Sequence, residues 1–175
     1  MNVTTSHTEK EANMPAEILE RYWDDAKVGD ACLSPEYAVT EARVMAYADL
    51  TGDHTPVHTD EAYARTTPFG TRVAHGLFGL SIADGLKTIS DYRFIPGMSL
   101  GWEWSFIKPI KLGDTLRVKF SVGSMRLSNS KPGWGIVTLP SELINQQGEV
   151  VQKGEHRLMI PRRPGWDAKQ SGEVQ

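Results

Sequence analysis

Cysteine is nearly absent: the 175-residue chain contains Cys32 alone. A disulfide within the chain is therefore impossible, and a thiolate metal cluster is excluded. Such scarcity fits a reducing compartment. A basic surplus is also missing. The net charge of −3 and the pI near 5.9 argue against a nucleic-acid binder, which needs a basic face or stripe. No apolar run approaches the ~20 residues that cross a bilayer. The stretch MNVTTSHTEKEANMPAEILE has no apolar core of the kind a secretion signal carries. The expectation is a cytoplasmic protein with neither a membrane nor a nucleic acid as partner. No internal repeat, low-complexity tract or common Gly-rich nucleotide loop is present.

What remains is an ordinary globular composition, 39% hydrophobic and 23% charged. The length suits one core and is short for two. Residues 1–17 and 166–175 are polar and non-periodic, so both are expected to be tails around a folded unit at 18–165. Residues 39–50 read as a helix, with Thr40 as cap, Glu41 in the first turn and Val44, Tyr47 and Ala48 on one side, stopping at Gly52. A helical turn is expected over 60–65, capped by Thr59 or Asp60. Residues 76–89 are apolar almost all round, the pattern of a buried helix. Asp84 is the only charge in that helix before Lys87. Beyond Pro96 the period becomes two. Runs at 100–107, 116–122, 134–144 and 150–160 read as antiparallel strands, and an early strand is expected over 31–40. Pro140 places a bulge or an edge in its strand. The fold class is α+β, a curved antiparallel sheet wrapped around one central buried helix. One sheet on one helix leaves an open flank, so a homodimer or a higher homo-oligomer is expected.

The decapeptide TGDHTPVHTD, from Thr51 to Asp60, is the chemically richest segment. Gly52 and Pro56 make it bend. A bend can turn Asp53 and His58 toward one point, where an acid and an imidazole move protons. The same composition also describes a solvated turn. The His75-Gly76 pair that follows opens the buried helix. A helix N-terminus offers N–H groups without internal acceptors and the positive end of a dipole.

Together the motifs YADLTGDHTPVHTDEAYA, TPFGTRVAHGLFGLSIADGL, LGWEWSFIKPIKLGDTLRV, GIVTL, NQQGEVV and KGEHRLMIP resemble the MaoC-like dehydratase family of hot-dog proteins, which includes the (R)-specific enoyl-CoA hydratases. The resemblance covers roughly residues 20–162. It implies a hot-dog fold and reversible hydration or dehydration of a 2-enoyl-CoA or 3-hydroxyacyl-CoA thioester. It implies Asp53 and His58 as the catalytic dyad holding one water, with the (R) hand of product. The Gly76 amide would hold the thioester oxygen, and donors aimed where negative charge develops stabilise the transition state selectively. No metal and no cofactor are expected beyond the CoA thioester itself, since the ligand spacing of a zinc or iron site is absent.

Two positions depart from the family pattern. Thr55 stands where Asn is usual. Asp84 stands where many of these hydratases have Ser. Asp84 beside Asp53 would make a pair of carboxylates that titrate together; the alternative is a local bond to neighbouring backbone. His75 orders the loop as a neutral imidazole or serves as a third catalytic group. Ser81, one turn before Asp84, reads as a small packing residue within reach of the site. Trp102, Trp104 and Phe106 form a sheet face against the helix or line an acyl tunnel. Arg72, Lys108 and Arg126 are candidates for the CoA phosphates. His7, His54 and His156 have no assigned role. A hot-dog thioesterase and a non-catalytic acyl-binding member of the family are the competing functions.

Overall fold

Residues 20–165 are described in a computed structural model of the chain; the tails expected at 1–17 and 166–175 lie outside them, as does His7. In chain order the elements are β1 (Glu20–Arg21), a 3-10 turn (Trp23–Asp25), β2 (Ala31–Leu33), β3 (Tyr37–Ala38), α1 (Glu41–Thr51), α2 (Pro56–Thr59), α3 (Glu61–Ala64) and α4 (Gly76–Thr88). There follow β4 (Arg93–Phe94), β5 (Met98–Phe106), β6 (Thr115–Ser121), β7 (Ser124–Leu127), β8 (Trp134–Ile144) and β9 (Val150–Pro161). The main sheet runs β2-β6-β8-β9-β5, every pair antiparallel, with β3 also on β6 and β7 also on β8.

The period-two runs produce this sheet because alternate side chains face opposite sides. Val118, Phe120, Val137, Leu139, Leu143, Val151 and Ile160 point inward and are buried with Phe78, Ala83 and Leu86 of α4. Each large apolar side chain so buried contributes roughly 1.5–3 kcal/mol. The sheet curves around α4, which gives the hot-dog architecture of the α+β class.

Short-range chemistry sets the helix ends. Thr40 accepts from the Arg43 amide at 3.3 Å and caps α1, while Gly52, at φ 75°, closes it by donating to the Ala48 carbonyl. Asp60 caps α3 through the Ala62 and Tyr63 amides.

Three expectations are corrected. The single strand at 31–40 is two, β2 and β3. Four steps from Leu33 to Tyr37 oppose three from Lys119 to Leu116, so the chain bulges. Buried Ser34 turns in, accepts from the Val118 amide and donates to the Pro35 carbonyl, using the extra residue to satisfy itself. Second, β7 was not foreseen. Pro140, on β8, lies where the neighbouring strand breaks between β6 and β7, and Gly123 packs against its ring. Third, α4 is buried on one side only. Leu77 is 59% exposed and Ser81, Asp84 and Thr88 continue an open stripe. Met98, Leu100, Phe106 and Ile107 are exposed along edge strand β5 and just beyond it.

Candidate active site

The bend after α1 places the acid. Gly52 reverses the chain, and Asp53 then receives two hydrogen bonds on Oδ1: from the Thr55 amide at 3.1 Å and from the Thr55 hydroxyl at 2.6 Å. Thr55 thus ties down the carboxylate. Both bonds favour the charged form and hold Asp53 below the usual carboxylate range, with His75 and His58 adding smaller effects in the same direction. Asp53 itself is exposed.

The short helix α2 begins at Pro56, whose fixed φ suits a first helical turn. It carries His58 to the backbone at Val73. His58 Nδ1 lies 2.7 Å from the Val73 carbonyl, which can only accept, so Nδ1 carries the proton and Nε2 is left to act. Val73 is itself held: its amide bonds the Val57 carbonyl, it bridges to Lys111, and the Ala74 amide bonds the Ile110 carbonyl.

His75 closes the group. Its Nε2 lies 2.8 Å from the Asp53 carbonyl and by the same logic donates to it. The ring is buried between His58, with centroids 3.9 Å apart, and Tyr47, at 5.2 Å. His75 therefore fastens the Asp53 backbone to the start of α4. Among the described residues its buried Nδ1 has no hydrogen-bond partner.

Donor atoms of Asp53, His58 and His75 lie within 4.8 Å of one another. A cation could in principle draw on this set. The two imidazole rings lie with centroids 3.9 Å apart and a 31° tilt between their planes. One nitrogen of each is already committed to a carbonyl.

Gly76 is the first residue of α4, where an N–H has no acceptor within the helix. A Cβ there would come within 3.2 Å of the Phe106 ring, so the aromatic approach favours glycine. His58, Val73, Gly76, Phe106 and Lys108 share the lining of a pocket of about 390 Å³. One residue outside the sequence-derived set supports this pocket. Gln152, buried on β9, donates Nε2 to the Gly76 carbonyl at 2.9 Å and accepts from Trp104 Nε1 at 2.9 Å. Its signal in the sequence was a polar residue at an inward position of an alternating strand.

Other candidates lie elsewhere. Asp84 turns away from Asp53; its Oδ1 is 3.5 Å from Lys87 Nζ and 3.8 Å from His156 Nδ1. Ser81 is exposed and donates to the Leu77 carbonyl. His54 pairs with Asp49 at 3.5 Å. Arg72 is held by Glu41 and Glu61, and Arg126 sits on β7. Of the three cations considered for CoA, Lys108 lines the pocket, paired to Glu149 at 2.6 Å.

No helix among the described residues is long and apolar enough to cross a membrane. The MaoC like domain matches residues 25–141. The chain is 36% identical over 123 residues to Protein MaoC of Klebsiella aerogenes, a match covering 66% of this chain but only 36% of that longer relative. It is 32% identical over 154 residues to the 3-hydroxybutyryl-CoA dehydratase of Methylorubrum extorquens, covering 86% of this chain and 90% of the relative. Among solved structures, the MaoC-like dehydratase from Rhodospirillum rubrum superposes with a TM-score of 0.74 at 34% identity, over 82% of this chain and 99% of that one. With the domain matched over most of its length and the same hot-dog frame, the chain belongs to the MaoC-like dehydratase family.

Proposed function

We propose that the chain is a hydro-lyase that adds water reversibly to a 2-enoyl-CoA thioester. The carrying observation is the convergence of Asp53 and His58 beside the N-terminus of α4. The thioester oxygen would meet the Gly76 amide, where negative charge on it is stabilised. Asp53, held ionised by Thr55, takes a proton from the bound water as its oxygen attacks the β-carbon. His58, its Nδ1–H anchored on Val73, accepts the water's other O–H on its unprotonated Nε2 and orients the attack, and the proton gained by Asp53 passes to the α-carbon. Dehydration runs the same transfers backward. Positioned transfer of this kind contributes typically ~10²–10⁴-fold. Relatives named (R)-specific enoyl-CoA hydratase support the (R) hand.

Lys108, which lines the pocket, would meet a CoA phosphate. A homodimer would cover the apolar flank formed by α4 and β5, whose Leu77, Leu100 and Phe106 are exposed. The test uses crotonyl-CoA. Loss of enoyl absorbance without thiol release is expected, and Asp53→Asn and His58→Ala should each lower kcat by about 10²-fold or more while remaining folded. Thiol release without hydration would make the protein a thioesterase. Wild-type turnover retained in either variant would remove the dyad.

A further inference from the structure

A second pocket, of about 480 Å³, opens at the other end of α4. Its walls include Phe94, Phe120, Leu139 and Leu158, and its polar groups include Lys87 and His156. It shares no lining residue with the pocket beside His58. Trp104, lying over Gly154 and bonded to Gln152, stands on the sheet face between them. Lys87 follows Gly76 by eleven residues, roughly 16 Å along the helix, and its side chain leans back toward the helix start.

Lys87 is an unusual pocket residue. It is 7% exposed, donates from Nζ to His156 Nδ1 at 2.6 Å, and lies 4.0 Å from the centroid of the Trp102 ring. His156 must accept on Nδ1, so it is neutral, and its Nε2–H reaches Ser99 Oγ at 2.8 Å. Burial lowers Lys87 to about 8, against an upward pull from Asp84, so the ammonium form still prevails at pH 7. Its only carboxylate among these contacts is Asp84, 3.5 Å away and 52% exposed. An ion pair that open is worth little and can be exchanged. A buried cation in an apolar pocket of ligand size, countered by a loosely held acid, is built to receive an anion with a greasy body.

We propose that this pocket binds a carboxylate carried on an aliphatic stem, with the Lys87 ammonium as anchor and Asp84 as the group it displaces. The stem packs on Phe94, Phe120, Leu139 and Leu158. Two sources share this chemistry. One is a free fatty carboxylate. The other is the distal carboxylate of a dicarboxylyl thioester whose thioester end lies at Gly76, a source that rests on the hydratase reading above.

The test is calorimetric titration with sodium octanoate, with octanol as the uncharged control. Wild type should bind octanoate about tenfold or more tighter than octanol, and Lys87→Met should lose that preference. Lys87→Arg should keep it, which separates loss of the cation from loss of the fold. Asp84→Ser should tighten octanoate binding by removing the competing anion. Equal affinity for octanoate and octanol, full binding by Lys87→Met, or weaker binding by Asp84→Ser would each overturn the assignment. The source is decided on His58→Ala loaded with a 2-enoyl-CoA whose acyl chain ends in a carboxylate. Displacement of octanoate assigns the carboxylate to the substrate, and enoyl-CoA esters ending in a carboxylate should then be hydrated in preference to those ending in methyl. Simultaneous binding assigns it to a free ligand. Crotonyl-CoA turnover by the wild type is scored separately, so failure of the hydratase reading leaves the octanoate result interpretable.

Discussion

Gly79→Ala sets two effects of opposite sign against each other inside α4. Helix propensity alone favours alanine by about 0.5–1 kcal/mol. The structure predicts the reverse. A Cβ on Gly79 would lie 2.5 Å from Gln152 Nε2, 2.6 Å from Gln152 Oε1 and 2.6 Å from Ile110 Cδ1. Gln152 has little freedom to retreat, because its amide is held at both ends by the Gly76 carbonyl and Trp104 Nε1. Displacing it forfeits two buried hydrogen bonds at about 0.5–1.5 kcal/mol each. Forcing the methyl in costs roughly 1–3 kcal/mol more. After subtracting the propensity gain, a net loss of about 1–5.5 kcal/mol is expected. Urea denaturation monitored by tryptophan fluorescence measures it.

Gly85→Ala is the internal control, since nothing lies within 4 Å of a Cβ there. It should stabilise by about 0.5–1 kcal/mol. In a Gln152→Ala background the penalty for Gly79→Ala should shrink, a coupling that a double-mutant cycle reads directly. Because Gln152 also positions the Gly76 carbonyl, kcat/KM on crotonyl-CoA should fall with Gly79→Ala and stay level with Gly85→Ala. A Gly79→Ala protein as stable as Gly85→Ala would refute the close packing of α4 on β9.

Three further outcomes follow from the charge and exposure pattern. Thr55→Val removes the hydroxyl that holds Asp53 ionised, so the acid limb of the kcat/KM profile should move to higher pH; an unmoved limb would exclude Asp53 as the group responsible. His156 is pushed down to about 3 from 6.5, first by burial and then by the Lys87 charge. Between those values the unfolded chain takes up a proton that the folded chain refuses. Its contribution is therefore whole above pH 6.5 and drains away toward pH 3, so His156→Gln should lose less stability than wild type between pH 7 and pH 4 in chemical denaturation. Leu77→Asp puts a charge on the exposed side of α4, and sedimentation should find it monomeric where the wild type is dimeric; a monomeric wild type would remove the dimer proposal.

Features governed by neighbouring residues were legible in the linear chain. Alternating Val118, Phe120 and Leu139, Leu143 marked sheet faces, because strand side chains repeat every second residue. Thr40 and Gly52 marked the ends of α1, because caps act within one turn. A bend able to bring Asp53 and His58 together was legible because it needs only local turn chemistry, whereas their grouping with Gly76 came from the family resemblance. Tertiary structure alone decided what depends on partners distant in sequence. Ser34 splits a strand because the Val118 amide, 84 residues away, offers it a bond. Gln152 supports Gly76 across 76 residues, and Lys87 finds His156 across 69. Asp84 took its place from that last pair and not from its spacing to Asp53. Periodicity tells which face a residue occupies; which distant side chain meets it there is set by strand register and by the packing of α4 on the sheet.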